Sequence, residues 1–267
     1  MSRRTWRDLT RQVAIVVGAI FQIVAPALTG PAIGRISAEN PTFVVPGDYA
    51  FVIWTPIFGL ALVYAAYQAL PSKRTDPLLR RIGWYAALAY FSNGIWELLF
   101  PAREFVLSQV VFVGILTGAV VAFVLAQRGT HPERRADRWL VTPAFGLFAG
   151  WVTAAFFVGI VTVLVAAGVL SGGIGEALVG ALTLIAGGAV ACAVILAGGP
   201  PQGYLAYGGA VLWALAGIVV NQYQSSLLTT SVAAASALVV AAVLLFALRR
   251  RPGAAGDTGR PAKPRIA

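Results

Sequence analysis

Within residues 93–100, Asn93, Trp96, Glu97 and Phe100 fall at i, i+3, i+4 and i+7 in an otherwise apolar stretch. A helix gathers this amide, indole, carboxyl and phenyl ring on one face. A carboxylate inside a membrane-spanning helix costs several kcal/mol unless it is paired, protonated or facing water. Glu97 is therefore a candidate either for carrying a proton or for orienting a bound molecule. The bland alternative is a position near the helix end, from which its carboxyl reaches headgroup water. Trp54 and Trp151 are further indoles expected to lie deep in their segments. Indole faces offer large contact area to a flat apolar ligand at little entropic cost, and Asn93 and Glu97 are the polar groups available to fix its orientation. The candidate ligand-binding set is thus Trp54, Asn93, Trp96, Glu97, Phe100 and Trp151.

Long apolar elements must position these residues. Hydrophobic residues make up 58% of the 267-residue chain and charged residues 11%, against about 25% charged in soluble domains. The mean hydropathy is +0.80. Runs near the ~20 residues that cross a bilayer core recur at 13–33, 49–70, 82–100, 107–127, 139–167, 174–197, 204–220 and 228–248. The fold class expected is all-α, a polytopic membrane bundle of about eight transmembrane helices. The span at 204–220 is the weakest of them, being short and rich in Gly and Ala. Residues 1–12 form a basic N-terminal segment and 249–267 an Arg-, Pro- and Gly-rich tail, read as disordered and drawn to anionic lipid.

Charge placement predicts orientation. Basic residues cluster before the first span (Arg3, Arg4, Arg7, Arg11), between the second and third (Lys73, Arg74, Arg80, Arg81), between the fourth and fifth (Arg128, Arg134, Arg135, Arg138) and after the last (Arg249, Arg250, Arg251, Arg260, Lys263, Arg265). With eight crossings these all fall on one side, leaving only Arg35 and Arg103 on the other. The positive-inside rule makes the basic side cytoplasmic, with both termini inside. The net charge of +10 is then a topology signal, and no nucleic-acid partner is expected, because no folded basic face exists. The first span could pass for a signal peptide cleaved near Ala25-Pro-Ala27, but its length favours a retained helix.

Other residues read as structural. Cys192 is the only cysteine and His131, in a charged loop, the only histidine, so no disulfide, metal cluster or histidine-based catalytic set is expected. Trp6, Trp84 and Trp139 suit the interfacial aromatic belt. Asp48 should cap the second span, and Pro56 should kink it. Gly114-x-x-x-Gly118 and Gly146-x-x-x-Gly150 offer grooves for close helix approach, favouring internal packing over dimerisation. Glu176 is expected at the interface. Trp213, Asn221 and Gln224 share a face of the seventh span that could extend the site or pack the added helices.

The chain resembles the TspO family of translocator or tryptophan-rich sensory proteins. Asn40-Pro-Thr-Phe-Val-Val-Pro-Gly-Asp-Tyr-Ala-Phe-Val-Ile-Trp54 resembles that family's entry into its second helix, Asn93-Gly-Ile-Trp96 with Phe100 its third-helix motif, and Phe145 through Trp151-Val-Thr153 its fifth-helix motif. The resemblance covers residues 13–168, with three additional helices in 169–248. An Asn that often follows the fifth-helix motif is replaced here by about Gly159. The resemblance implies a five-helix bundle that binds tetrapyrroles, sterols or other flat lipophilic molecules, often as a homodimer, here in a bacterial inner or cell membrane. No cofactor is expected beyond a bound porphyrin or lipid. No nucleophile elbow, phosphate loop or catalytic triad is present to make an enzyme, although photo-oxidation of a bound porphyrin would need little more than nearby indoles. Three readings stay open: a ligand-binding sensor or carrier, a proton-coupled transporter using Glu97, and a packing subunit without ligand.

Overall fold

The computed structural model describes residues 5–29, 33–129, 134–199 and 201–249. Among these residues the regular structure is helical: α1 (Trp6–Thr29), α2 (Ile33–Glu39), α3 (Trp54–Ala69), α4 (Pro77–Leu99), α5 (Phe105–Gly129), α6 (Thr142–Ala166), α7 (Gly173–Leu196), α8 (Pro201–Gln222) and α9 (Leu227–Arg249). The loop carrying His131 and the tail from residue 250 onward lie outside the described residues.

Each expected span has its helix. Seven of the long helical segments are long and apolar enough to cross a membrane. The eighth, α4, is long enough but carries too much polarity, including Arg80, Arg81, Asn93 and Glu97. Its neighbours account for this composition. The helix lies against α1 from the Asp8–Arg80 ion pair to the Asn93–Gln22 hydrogen bond, and against α5 from Leu78 beside Gly129 to Ser92 beside Gly114. Enclosed on both flanks, α4 exposes little of its polar face to lipid, so it needs less hydropathy than a lone span.

Contacts at both ends of each pair set the helix directions. The α1–α4 pair runs parallel, whereas α5 runs antiparallel to α4 and α6 antiparallel to α5. Helix α8 runs parallel to α6 and α9 parallel to α7, since Gly146 meets Gly203, Gly150 meets Tyr207, Gly180 meets Thr229 and Gly188 meets Ser236. These directions are those of eight consecutive crossings. They bring the basic loops to one end, where Arg80 pairs with Asp8 at 2.6 Å, Arg134 with Asp76 at 2.7 Å, and Tyr67 donates to Asp137 at 3.0 Å. Helix α1 begins before the expected residue 13 because Asp8, Arg11 and Gln12 are buried by such partners: Gln12 Nε2 donates to the Gln68 carbonyl, and Arg11 to that of Arg74.

Several local expectations need correction. Asp48 is not a helix cap, since its side chain makes no capping bond. The chain enters through a 3₁₀ turn, Asp48–Ile53, preceded by Gly47. The turn runs directly into α3, with the Trp54 N–H bonded to Phe51 O, so Pro56 stands inside a continuous helical segment and donates no backbone bond there. The seventh span is not a weak element. Helix α8 is the most buried of the seven apolar segments, and its Gly and Ala residues let α6 and α9 approach. In both Gly-x-x-x-Gly pairs the grooves face inward: a Cβ on Gly118 would stand 2.7 Å from Ala89 N and Tyr85 O of α4, and one on Gly146 would press on the Gly203 carbonyl of α8.

Candidate functional site

The indoles converge. Trp54 opens α3, and its ring centroid lies 6.3 Å from that of Trp96 on α4 and 6.3 Å from that of Trp151 on α6, edge to face with the latter. Trp96 stacks on Phe100 at 5.0 Å, as one helical turn allows, and meets Phe112 of α5 edge to face at 5.4 Å. Phe51, in the 3₁₀ turn, reaches Trp151 at 5.7 Å. Centroid separations and angles of this kind are those aromatic pairs favour.

The cluster surrounds one narrow cavity of about 60 Å³ that Trp54, Trp96, Phe100 and Trp151 all line. Few polar groups enter it. Gln109 of α5 is one; its Nε2 donates to the Phe156 carbonyl at 2.9 Å and its Oε1 presses on Gly159. The space opened by a glycine at 159, where the resembling family often has Asn, is thus occupied by an amide from a different helix. The indole N–H groups of Trp54 and Trp151 have no hydrogen-bond partner among the described residues, although the two side chains are 7% and 2% exposed. Buried indole N–H groups ordinarily find an acceptor.

Asn93 and Glu97 do not line this cavity. Successive residues diverge by about 100° around a helix, so Trp96 and Glu97 occupy opposite edges of the stripe that spacing alone treats as one face. Asn93 is fully buried against α1 and donates to Gln22 Oε1 at 3.2 Å, leaving its own Oδ1 and Gln22 Nε2 without partners. Glu97, one turn further along the same edge, is 2% exposed and accepts no hydrogen bond among the described residues. The headgroup alternative for its carboxyl therefore does not describe this fold, since the group is enclosed by helices. Of the candidates, Trp54, Trp96, Phe100 and Trp151 come together, while Asn93 and Glu97 form a separate polar seam between α1 and α4.

Sequence reasoning missed the contribution of α8. Ala214 and Ile218 complete the cavity wall, and no chemical signature marks such residues. The α8 face of Trp213 and Asn221 does not enter the cavity, and its third member is Gln222 rather than Gln224, which is exposed. These side chains hold the segment that covers the cavity: Trp213 Nε1 donates to Ala50 O at 2.8 Å, Asn221 Nδ2 to Val45 O at 3.0 Å, and Gln222 Nε2 to Thr42 O and Val45 O. Glu176 lies in the first turn of α7. It is 4% exposed and accepts the Phe43 N–H at 2.7 Å.

The fold and site together define an α-helical integral membrane protein. A family model described as TSPO-like protein matches residues 9–248, and the chain belongs to that family. The match runs from α1 to α9, so it takes in the last three long helices as well as the first five. No curated protein and no solved structure matches the chain.

Proposed function

We propose that the protein is a membrane sensor or carrier that takes a flat hydrophobic molecule, tetrapyrrole- or sterol-like, into the cavity between α3, α4, α5, α6 and α8. The convergence of Trp54, Trp96, Phe100 and Trp151 on one cavity carries this reading, and membership of the TSPO-like family supports it. The rings supply apolar walls, and the unpartnered N–H groups of Trp54 and Trp151 suit a ligand that bears an acceptor on its flat body. The same ledge of basic residues that gathers at one end of the bundle would face the cytoplasm, so the cavity would lie in the outer half of the bilayer. Titrating purified protein with a porphyrin and with a sterol, following indole quenching, tests the reading. Saturable quenching by one of them that weakens in Trp96→Ala supports it, and identical curves for wild type and variant refute it.

Glu97 favours a second reading, proton-coupled transport, because it is enclosed, accepts no hydrogen bond among the described residues, and lies one helical turn from Asn93, which with Gln22 is under-satisfied. Proton-dependent flux in vesicles that Glu97→Gln abolishes would support it. Flux indifferent to that substitution would remove it.

A further inference from the structure

A second, polar cavity of about 650 Å³ lies between residues 37–49, the start of α7 and the end of α8. It shares Ser37 and Pro46 with the aromatic cavity, so the two adjoin. Its charge is one-sided. Asp48 and Glu176 line it, and among the described residues no Lys, Arg or His does. Arg35 and Arg103, the cations at this end of the bundle, both pair with Glu39 instead. One oxygen of Glu176 takes the Phe43 N–H, and the other accepts no hydrogen bond among the described residues. Thr42, 4% exposed, also lines the cavity, with its hydroxyl oxygen closed off from it and without a partner among the described residues. Helix α8 ends here at Asn221 and Gln222, adding the partial negative charge of its carbonyl terminus.

The bland account is that Asp48 and Glu176 occupy first helical turns, where the N-terminal partial charge steadies a carboxylate without any ligand. That explains why acids are tolerated at both places. It does not explain a roomy polar space, lined by a buried carboxylate with one oxygen unpartnered among the described residues and by no compensating cation there, adjoining an apolar slot.

We propose that this vestibule is the head-group site of an amphiphile whose flat apolar body occupies the aromatic cavity, and that the head is an ammonium. The proposal rests on the reading of the aromatic cavity given above and adds the chemical class of what it takes. An ammonium supplies donors to Glu176 and neutralises the acidic lining, whereas a carboxylate head meets like charge and loses affinity. A flat acid, tetrapyrrole or other, whose carboxylates point to this end would accordingly be a poor ligand.

Pyrene derivatives separate the two claims. The full-length protein in zwitterionic nanodiscs at pH 7 is titrated with pyrene, 1-pyrenemethylamine, 1-pyrenemethanol and 1-pyrenecarboxylic acid. Indole-to-pyrene energy transfer is the readout, corrected against empty nanodiscs. The amine should bind more tightly than the alcohol and the alcohol more tightly than the acid, with amine and acid differing on the order of tenfold. Asp48→Asn and Glu176→Gln should each narrow that ratio. Asp48 is exposed, so its variant carries the test if Glu176→Gln fails to fold. Saturable binding of all four probes with equal affinities, or an amine-to-acid ratio unchanged in Asp48→Asn, overturns the ammonium site and leaves the aromatic cavity standing. Absence of saturable transfer from every probe overturns the cavity reading and this inference with it.

Discussion

Replacing Gly150 by Ala should destabilise the bundle although alanine is the better helix former. An added Cβ at this position presses on the Tyr207 carbonyl oxygen of α8 and stands 3.0 Å from the Ala210 Cβ. Carbon–oxygen contacts begin at about 3.3 Å, so α8 must retreat by roughly 1 Å. A backbone carbonyl cannot swing aside as a side chain can, and overpacking of this kind costs about 1–3 kcal/mol. Gly209, on the lipid side of the same helix, is the matched control: a Cβ there meets nothing within 4 Å. Its alanine variant should gain the ordinary helix increment of about 0.5–1 kcal/mol. The two variants should therefore separate by about 1.5–4 kcal/mol, in opposite directions from wild type, when helicity is followed through denaturant titration in detergent. A Gly150→Ala protein as stable as Gly209→Ala would show that α6 and α8 are not in close contact, and the cavity wall built from α8 would fall with that result.

Other expectations concern the covering segment and the charged end. Gln222→Leu leaves the Thr42 carbonyl without its donor and should cost about 1–3 kcal/mol, with faster amide exchange in 42–47 and unchanged exchange in the middle of α5. Asp8→Asn removes the buried partner of Arg80 and should cost up to about 3 kcal/mol in denaturant titration. Glu39→Gln, at the exposed pair with Arg103, should change stability by less than about 1 kcal/mol.

The helices were legible because hydrocarbon demands long apolar runs, and α5, α7 and α9 are such runs with hardly an interruption. Helix α4 was legible for the same reason despite its polar residues, which α1 and α5 shelter. The convergence of the indoles was readable because Trp54, Trp96 and Trp151 fall inside apolar runs and not in the basic loops. The polar half of the site was not: helical spacing groups Trp96 with Glu97, but only packing shows that one edge meets the cavity and the other meets α1. Gln109 gave no signal, since an amide facing a backbone carbonyl carries no spacing rule. The clamps from Trp213, Asn221 and Gln222 were hidden for a related reason, because their partners are main-chain carbonyls far away in the chain. The cap expected of Asp48 failed because a 3₁₀ turn moved the start of α3 to Trp54.

Photolabelling tests the central claim most directly. A flat aromatic probe bearing a diazirine, bound to the protein in nanodiscs, irradiated and mapped by peptide mass spectrometry, should mark cavity-lining residues such as Ala155, Ala214 and Ile218, and excess unlabelled probe should suppress those marks. Labels confined to lipid-facing positions such as Leu182 and Leu238, with no suppression by competitor, would contradict the account.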